Sequence, residues 1–216
     1  RLAVLLALPA AVALAILALP LVSTLYQYGR FTVNDVMQTR AALLGYTVGL
    51  PALILVKILA PGFYARQVMG TPVKIAFVTV LVTQPLAVLL AWPLGLEHAG
   101  LTLATSIGAI LNGGLLLWLL MRKGYFRPAP GWPRFFAKVC VAVVLLAIVV
   151  KGAMGVEAAW LTAGVVEKLT RLALVIAAGA AVYFGTLYAL GLRIAHFNRG
   201  EAVVPRDVVP TDDAEL

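Results

Sequence analysis

Six long apolar stretches, nearly free of charge inside and separated by short loops that hold most of the Lys and Arg, fill this chain from Leu2 to Leu192. They run from Leu2 to Tyr26, Ala41 to Ala60, Pro72 to Trp92, Ala99 to Met121, Phe135 to Met154 and Leu172 to Leu192. Each meets or exceeds the roughly 20 apolar residues that carry a helix across a ~30 Å hydrocarbon core. Lipid offers no water to satisfy backbone N–H and C=O groups, so apolar runs of this length imply helices rather than barrel strands. The expected fold is all-α, a polytopic membrane bundle of six transmembrane helices.

Composition points the same way. Hydrophobic residues make up 62% of the chain and charged residues 12%, against ~45–50% and ~25% in soluble domains. A pI near 9.9 and a net charge of +8 would suggest nucleic acid as the partner of a soluble domain. Here the basic residues flank apolar runs, which is the positive-inside bias of membrane proteins, and no nucleic-acid partner is expected. The single cysteine, Cys140, lies within an apolar run. It can form no internal disulfide and reads as a small buried hydrophobe.

Charge placement sets an orientation. One face would carry Arg1, Lys57, Arg66, Lys74, Arg122, Lys123, Arg127, Arg134, Lys138, Arg193, Arg199 and Arg206, twelve of the seventeen basic residues. Arg30, Arg40, Lys151, Lys168 and Arg171 remain on the other. The more basic face is expected in the cytoplasm, with both termini inside and the loops after the first, third and fifth spans outside. The tail after Leu192 holds five of the nine acids, and residues 196–216 are expected to be a disordered cytoplasmic extension. Arg1 stands where a Met would open a gene product, and Leu2 enters an apolar run at once. The chain therefore reads as a C-terminal piece of a longer protein, since its first run is too long for the apolar part of a signal peptide.

Pro9 and Pro20 each remove a helical hydrogen bond from the first span and predict a bend. Thr32 and Asp35 stand at capping-box spacing ahead of the second span. A helix capped there and reaching Ala60 is longer than the membrane, so it must tilt, kink at Pro51 or project. The Pro61–Gly62 pair suggests a break and a short interfacial segment at Phe63 and Tyr64. Thr71 followed by Pro72 reads as a cap and first helical residue of the third span.

Within the second span, Arg40 and Lys57 are separated by sixteen uncharged residues, which is ~25 Å along a helix axis. They can snorkel to opposite interfaces, or one or both can face a hydrated cavity and hold an anionic group. Lys57 shares its helix face with Tyr46, while Arg40 lies ~100° away. Gly45 and Gly49 form a small-residue pair suited to helix packing. In the fourth span Thr102, Thr105, Ser106, Ala109, Asn112 and Gly113 fall on one small, polar face. Packing accounts for most of it, and Asn112, deepest in the run, is the candidate for function. Ala177, Ala181, Gly185 and Ala189 make a four-residue repeat in the sixth span that reads as a packing seam. Lys138 and Lys151 should both snorkel from the fifth. His98 and His196 have no second ligand at metal spacing, so neither a metal nor another cofactor is expected. No carboxylate lies deep in a span, which removes the usual proton or sodium carrier.

Several loop strings resemble a known family. Tyr28-Gly29-Arg30-Phe31-Thr32 with Asp35, then Ala60-Pro61-Gly62-Phe63-Tyr64-Ala65-Arg66-Gln67, and Thr71-Pro72-Val73-Lys74-Ile75-Ala76 look like the C-terminal half of the MurJ/MviN lipid II flippase family. Ala99-Gly100-Leu101 and Pro130-Gly131-Trp132 extend the likeness over about residues 1 to 195. Val68-Met69-Gly70 departs from it, since members place an Asp and a basic residue after Arg-Gln. The resemblance implies a transporter that moves undecaprenyl-linked peptidoglycan precursor, lipid II, between leaflets by alternating access, not an enzyme. It implies fourteen helices in all, of which residues 1–123 would complete the second lobe and 124–195 form an additional pair associated with a groove for the lipid tail. On that reading Lys57 and Arg40 would hold the anionic headgroup and Asn112 would offer a neutral hydrogen-bonding wall. Lipid II, membrane lipid and other cell-wall synthesis proteins would be the partners, in the bacterial inner membrane. A drug or polysaccharide exporter of the same superfamily, or a membrane scaffold that transports nothing, are the alternatives.

Overall fold

The structure, a computed structural model, describes residues 2–125 and 131–192. Arg1, Arg127, Pro130, Arg193, His196, Arg199, Arg206 and the expected tail lie outside the described residues. Those residues are helical throughout apart from turns and short links: α1 (Leu2–Ile16), α2 (Ala18–Tyr26), α3 (Val33–Tyr64), α4 (Gly70–Ala91), α5 (Glu97–Arg122), α6 (Trp132–Met154), α7 (Glu157–Thr162) and α8 (Val165–Ala189). Five are long and apolar enough to cross a membrane, and α1 with α2 makes a sixth span bent by 69°.

The two prolines of that bent span act differently. Pro20 has no N–H for the carbonyl of Ile16, and α1 ends at Ile16. Pro9 leaves the carbonyl of Leu5 without its helical donor in the same way, yet α1 runs on. The hydroxyl of Tyr183 on α8 donates to that carbonyl at 2.6 Å. A neighbouring helix thus satisfies the freed group, as the absence of water in lipid requires.

The capping box forms as expected: Asp35 N–H donates to Thr32 Oγ1 at 3.3 Å, and the Asp35 carboxylate accepts from Thr32 N–H at 2.8 Å. From there α3 runs 32 residues without a break, about 48 Å at ~1.5 Å per residue, so it outreaches the hydrocarbon. Pro61–Gly62 does not interrupt it. Pro61 forfeits one bond, but Phe63 is fully buried in a cluster with Leu59, Ile75, Leu116 and Leu120, and that packing holds the last turn helical. Thr71 is not a cap, because α4 already begins at Gly70. Pro72 falls in its first turn, where a missing N–H costs nothing.

Glycines set the spacing of α3, α4 and α5. A Cβ on Gly49 would lie 2.5 Å from the Cα of Ser106, and one on Gly45 would lie 2.5 Å from Thr102 Oγ1. Gly100 and Gly108 bring α4 equally close, against Leu90 and Thr83. A second cluster joins α1, α2, α6, α7 and α8 through Leu5, Leu19, Val139, Leu146, Val150, Trp160, Tyr183 and Leu187.

Two sequence expectations fail on this second cluster. Ala177, Ala181, Gly185 and Ala189 are exposed, and α8 packs instead through Leu172, Val175, Gly179, Tyr183 and Leu187. The large side chains needed partners, and only Gly179 makes a close approach, to Val150. Cys140 is likewise exposed on α6 rather than buried.

Candidate functional site

The helices gather charge at two ends. Lys57, Arg66, Lys74, Arg122, Lys123, Arg134 and Lys138 lie at one, hereafter the basic end. Among the described residues all four acids, Asp35, Glu97, Glu157 and Glu167, lie at the other. Lys138 reaches the C-terminus of α8, where its Nζ donates to the carbonyl of Leu190 at 2.6 Å. A cation there also meets the negative end of the helix dipole.

Arg40, Lys57 and Asn112 do not converge. Arg40 lies near the acid-bearing end, where Nη1 and Nη2 each approach a different oxygen of Glu157 at 3.0 Å. Lys151 adds a longer contact of 3.5 Å to the same carboxylate. Lys57 is exposed near the opposite end of α3 and, like Tyr46, lies on its open face, as the eleven-residue spacing of the two predicts. It has no ion pair among the described residues.

Asn112 follows Gly108 by one turn on α5. Since Gly100 meets Leu90 and Gly108 meets Thr83, the next turn brings Asn112 to the level of Thr79. The hydroxyls of Thr79 and Thr83 donate to their own helix, at Ile75 O and Thr79 O. The buried Oδ1 of Asn112 has no hydrogen-bond partner. Much of the polar face is packing: Ser106 donates to Gly45 O at 2.6 Å, Thr102 lies against Gly45, and Gly113 against Ala52, whereas Thr105 is exposed and donates to Leu101 O of its own helix.

Sequence reading missed a polar joint at the acid-bearing end. Lys168 is 3% exposed, and its Nζ donates to Gln27 Oε1 at 3.0 Å, while Gln27 Nε2 donates to Leu161 O at 3.1 Å. With Trp160 donating to Met154 O, this joint binds α2, α7 and α8. Only the unexpected helix α7 makes it possible, and no spacing in the chain relates Gln27 to a lysine so far away.

Two cavities lie near the candidates. An apolar groove of about 320 Å³ opens between α1, α3, α5 and α6, lined by Val4, Ala7, Pro51, Leu55, Ile110 and Phe136 among others. A polar recess of about 480 Å³ lies at the acid-bearing end among Asp35, Gln38, Thr39, His98 and Thr102. Among the described residues no cluster of three metal-type ligands occurs.

A family profile described as lipid II flippase MurJ matches residues 1–174. The chain belongs to the MurJ lipid II flippase family. It is 42% identical over 200 residues to the lipid II flippase MurJ of Burkholderia cenocepacia, a match covering 92% of this chain and 38% of that protein. The probable lipid II flippase MurJ of Vibrio cholerae is 33% identical over 194 residues, covering 90% and 37%. A solved lipid II flippase MurJ in an inward closed conformation shares the fold, with a TM-score of 0.64 at 22% identity over 88% of this chain and 38% of that one. The chain thus spans under two-fifths of these MurJ relatives. MurJ membership and the apolar helices make it part of a multi-pass protein of the bacterial inner membrane.

Proposed function

We propose that this chain is the C-terminal portion of a transporter that moves lipid II from the inner to the outer leaflet by alternating access, without covalent chemistry and therefore not as an enzyme. The single observation that carries this reading is the family match along residues 1–174. On it, α1 to α5 are the last four spans of the second lobe, and α6 to α8 hold the additional pair. The basic end faces the cytoplasm, as the positive-inside bias directs.

A pyrophosphate-linked headgroup is anionic and large, so it needs a hydrated path with cations that are free to engage it. Lys57 meets that requirement, being exposed and without an ion pair among the described residues. Arg40 is the weaker anchor, because an incoming phosphate must displace the Glu157 carboxylate. Asn112 carries a neutral acceptor without a partner, buried here, that would meet the headgroup only as the helices part during alternating access. The apolar groove between α1, α3, α5 and α6 suits a polyprenyl chain, which can remain in lipid throughout. Membrane lipid and other cell-wall synthesis proteins are the further partners.

The test is translocation by the whole protein in sealed vesicles, with fluorescent lipid II set against small cationic drugs. Lipid II should cross and the drugs should not. Drug export without lipid II movement would support an exporter instead, and movement of neither would support a scaffold.

A further inference from the structure

At the basic end α3 and α5 stop in the same way. Val68 N–H reaches Phe63 O at 3.1 Å and Gln67 N–H reaches Tyr64 O at 2.9 Å; Tyr125 N–H reaches Leu120 O and Gly124 N–H reaches Met121 O, both at 3.0 Å. Gln67 at φ 58° and Gly124 at φ 70° take the left-handed conformation that this helix ending requires. Phe63 and Leu120 share one apolar cluster, and Tyr125 packs against it. The two turns are therefore held side by side, and the side chains leaving them converge.

The Arg66 guanidinium lies 4.3 Å over the Tyr125 ring, and Lys123 Nζ approaches the same ring at 6.0 Å. The neighbouring Arg122 lies 5.0 Å over Trp118. Among the described residues no acid balances them, since every described carboxylate is at the opposite end and the ion pairs are all made there. Bringing Arg66 and Lys123 to one ring gathers two like charges, which is unfavourable unless an anion joins them. The aromatic rings attract the cations by their faces, and a guanidinium held over a ring keeps N–H groups that can grip two oxygens of a phosphate. Tyr64 and Trp118 are exposed beside these cations. Such aromatics lie at headgroup depth, so the phosphate that reaches this site laterally is a lipid's.

We propose that Arg66 and Lys123, brought together at Tyr125, bind the phosphate of an anionic phospholipid in the leaflet at the basic end, with Arg122 on Trp118 adding to the positive charge of that end. Juxtamembrane basic clusters recognise such headgroups. This site would be separate from the Lys57 face, and it rests on the reading of the helices as membrane spans rather than on the substrate carried. It gives the Phe63-Tyr64-Ala65-Arg66-Gln67 string a role that substrate transport alone leaves unassigned.

The experiment is native mass spectrometry of the whole, delipidated protein titrated with phosphatidylglycerol, phosphatidylcholine or inorganic phosphate. Phosphatidylglycerol should bind over phosphatidylcholine, and Arg66→Gln with Lys123→Gln should weaken it by about tenfold or more through loss of charge-assisted contacts. Arg66→Lys with Lys123→Arg keeps both charges but gives up the Arg66 fork, and should recover only part of the binding that the neutral variant loses. Arg171→Gln, at the opposite end, should bind as the unmodified protein does. Equal binding by the doubly neutral variant, equal binding of phosphatidylcholine, or a charge-keeping variant as weak as the neutral one would overturn the proposal. Inorganic phosphate displacing the lipid at equal concentration would also overturn it, and would make this a free-anion site. None of these readouts depends on translocation, so a failed flippase reading would leave them unchanged.

Discussion

Arg40 and Glu157, 117 residues apart, meet in a two-pronged ion pair with both contacts at 3.0 Å. Since Glu157 opens α7 and Arg40 lies on α3, the pair ties the α3–α5 spans to the α6–α8 region at the acid-bearing end. Both side chains are about a third exposed, so each single neutralisation should cost about 0.2–1 kcal/mol. Arg40→Lys keeps the charge and loses the fork, and should recover only part. Exchanging the two, Arg40→Glu with Glu157→Arg, should restore most of the loss. A double-mutant cycle on thermal unfolding in detergent checks this, and a coupling energy of zero would contradict it.

Tyr183→Phe removes the donor that satisfies Leu5 O beside Pro9. Buried interhelical hydrogen bonds in membrane proteins average ~0.6 kcal/mol and reach ~1.7. The upper half of that range is expected here, because no water replaces the lost donor. In a Pro9→Ala background residue 9 regains its N–H and can bond Leu5 O itself. There Tyr183→Phe should be nearly silent. An equal loss in both backgrounds, measured by the same unfolding assay, would show that the proline is irrelevant.

Gly49→Ala and Gly185→Ala should differ in sign. The first puts a Cβ 2.5 Å from backbone of α5 and should destabilise by about 1–3 kcal/mol through overpacking. The second meets nothing within 4 Å, and should stabilise by about 0.5–1 kcal/mol through reduced backbone freedom. Membrane abundance and melting temperature of the two variants provide the comparison. A destabilised Gly185→Ala would return the small-residue repeat of α8 to a packing role.

Asn112→Leu separates stability from activity. Removing a buried acceptor that has no partner should leave the fold unharmed or gain about 1 kcal/mol. Activity in complementation should nonetheless fall if Asn112 lines the substrate path. Normal growth with raised stability would make Asn112 a packing residue.

The spans were legible because lipid imposes one requirement, a long apolar helix, that local sequence states directly. The Thr32–Asp35 cap and the Gly45–Gly49 approach were legible for a related reason, as each depends on residues within a turn or two. The Arg40–Glu157 pair and the Gln27–Lys168 joint were not, since both arise where distant helices meet. The α8 seam was misread because small residues also suit a lipid-facing surface, and periodicity alone does not say which side of a helix is covered. Proline alone also did not foretell its outcome. Pro20 broke its helix, Pro9 did not because Tyr183 replaced its donor, and Pro61 did not because Phe63 held the turn. For the candidate site, the face that Lys57 shares with Tyr46 was readable from their spacing, whereas the missing partner of Asn112 depends on what the neighbouring helices bring to it.

Lys57 decides the central claim. The most direct measurement is complementation of a strain depleted of its own lipid II flippase by the whole protein carrying Lys57→Ala or Lys57→Arg, with membrane abundance checked by blotting. An anchor for the anionic headgroup predicts that alanine abolishes or sharply weakens growth at normal abundance, while arginine keeps part of the function through its charge. Normal growth of the Lys57→Ala strain at normal abundance would contradict the account and leave Lys57 a lysine that only marks the membrane interface.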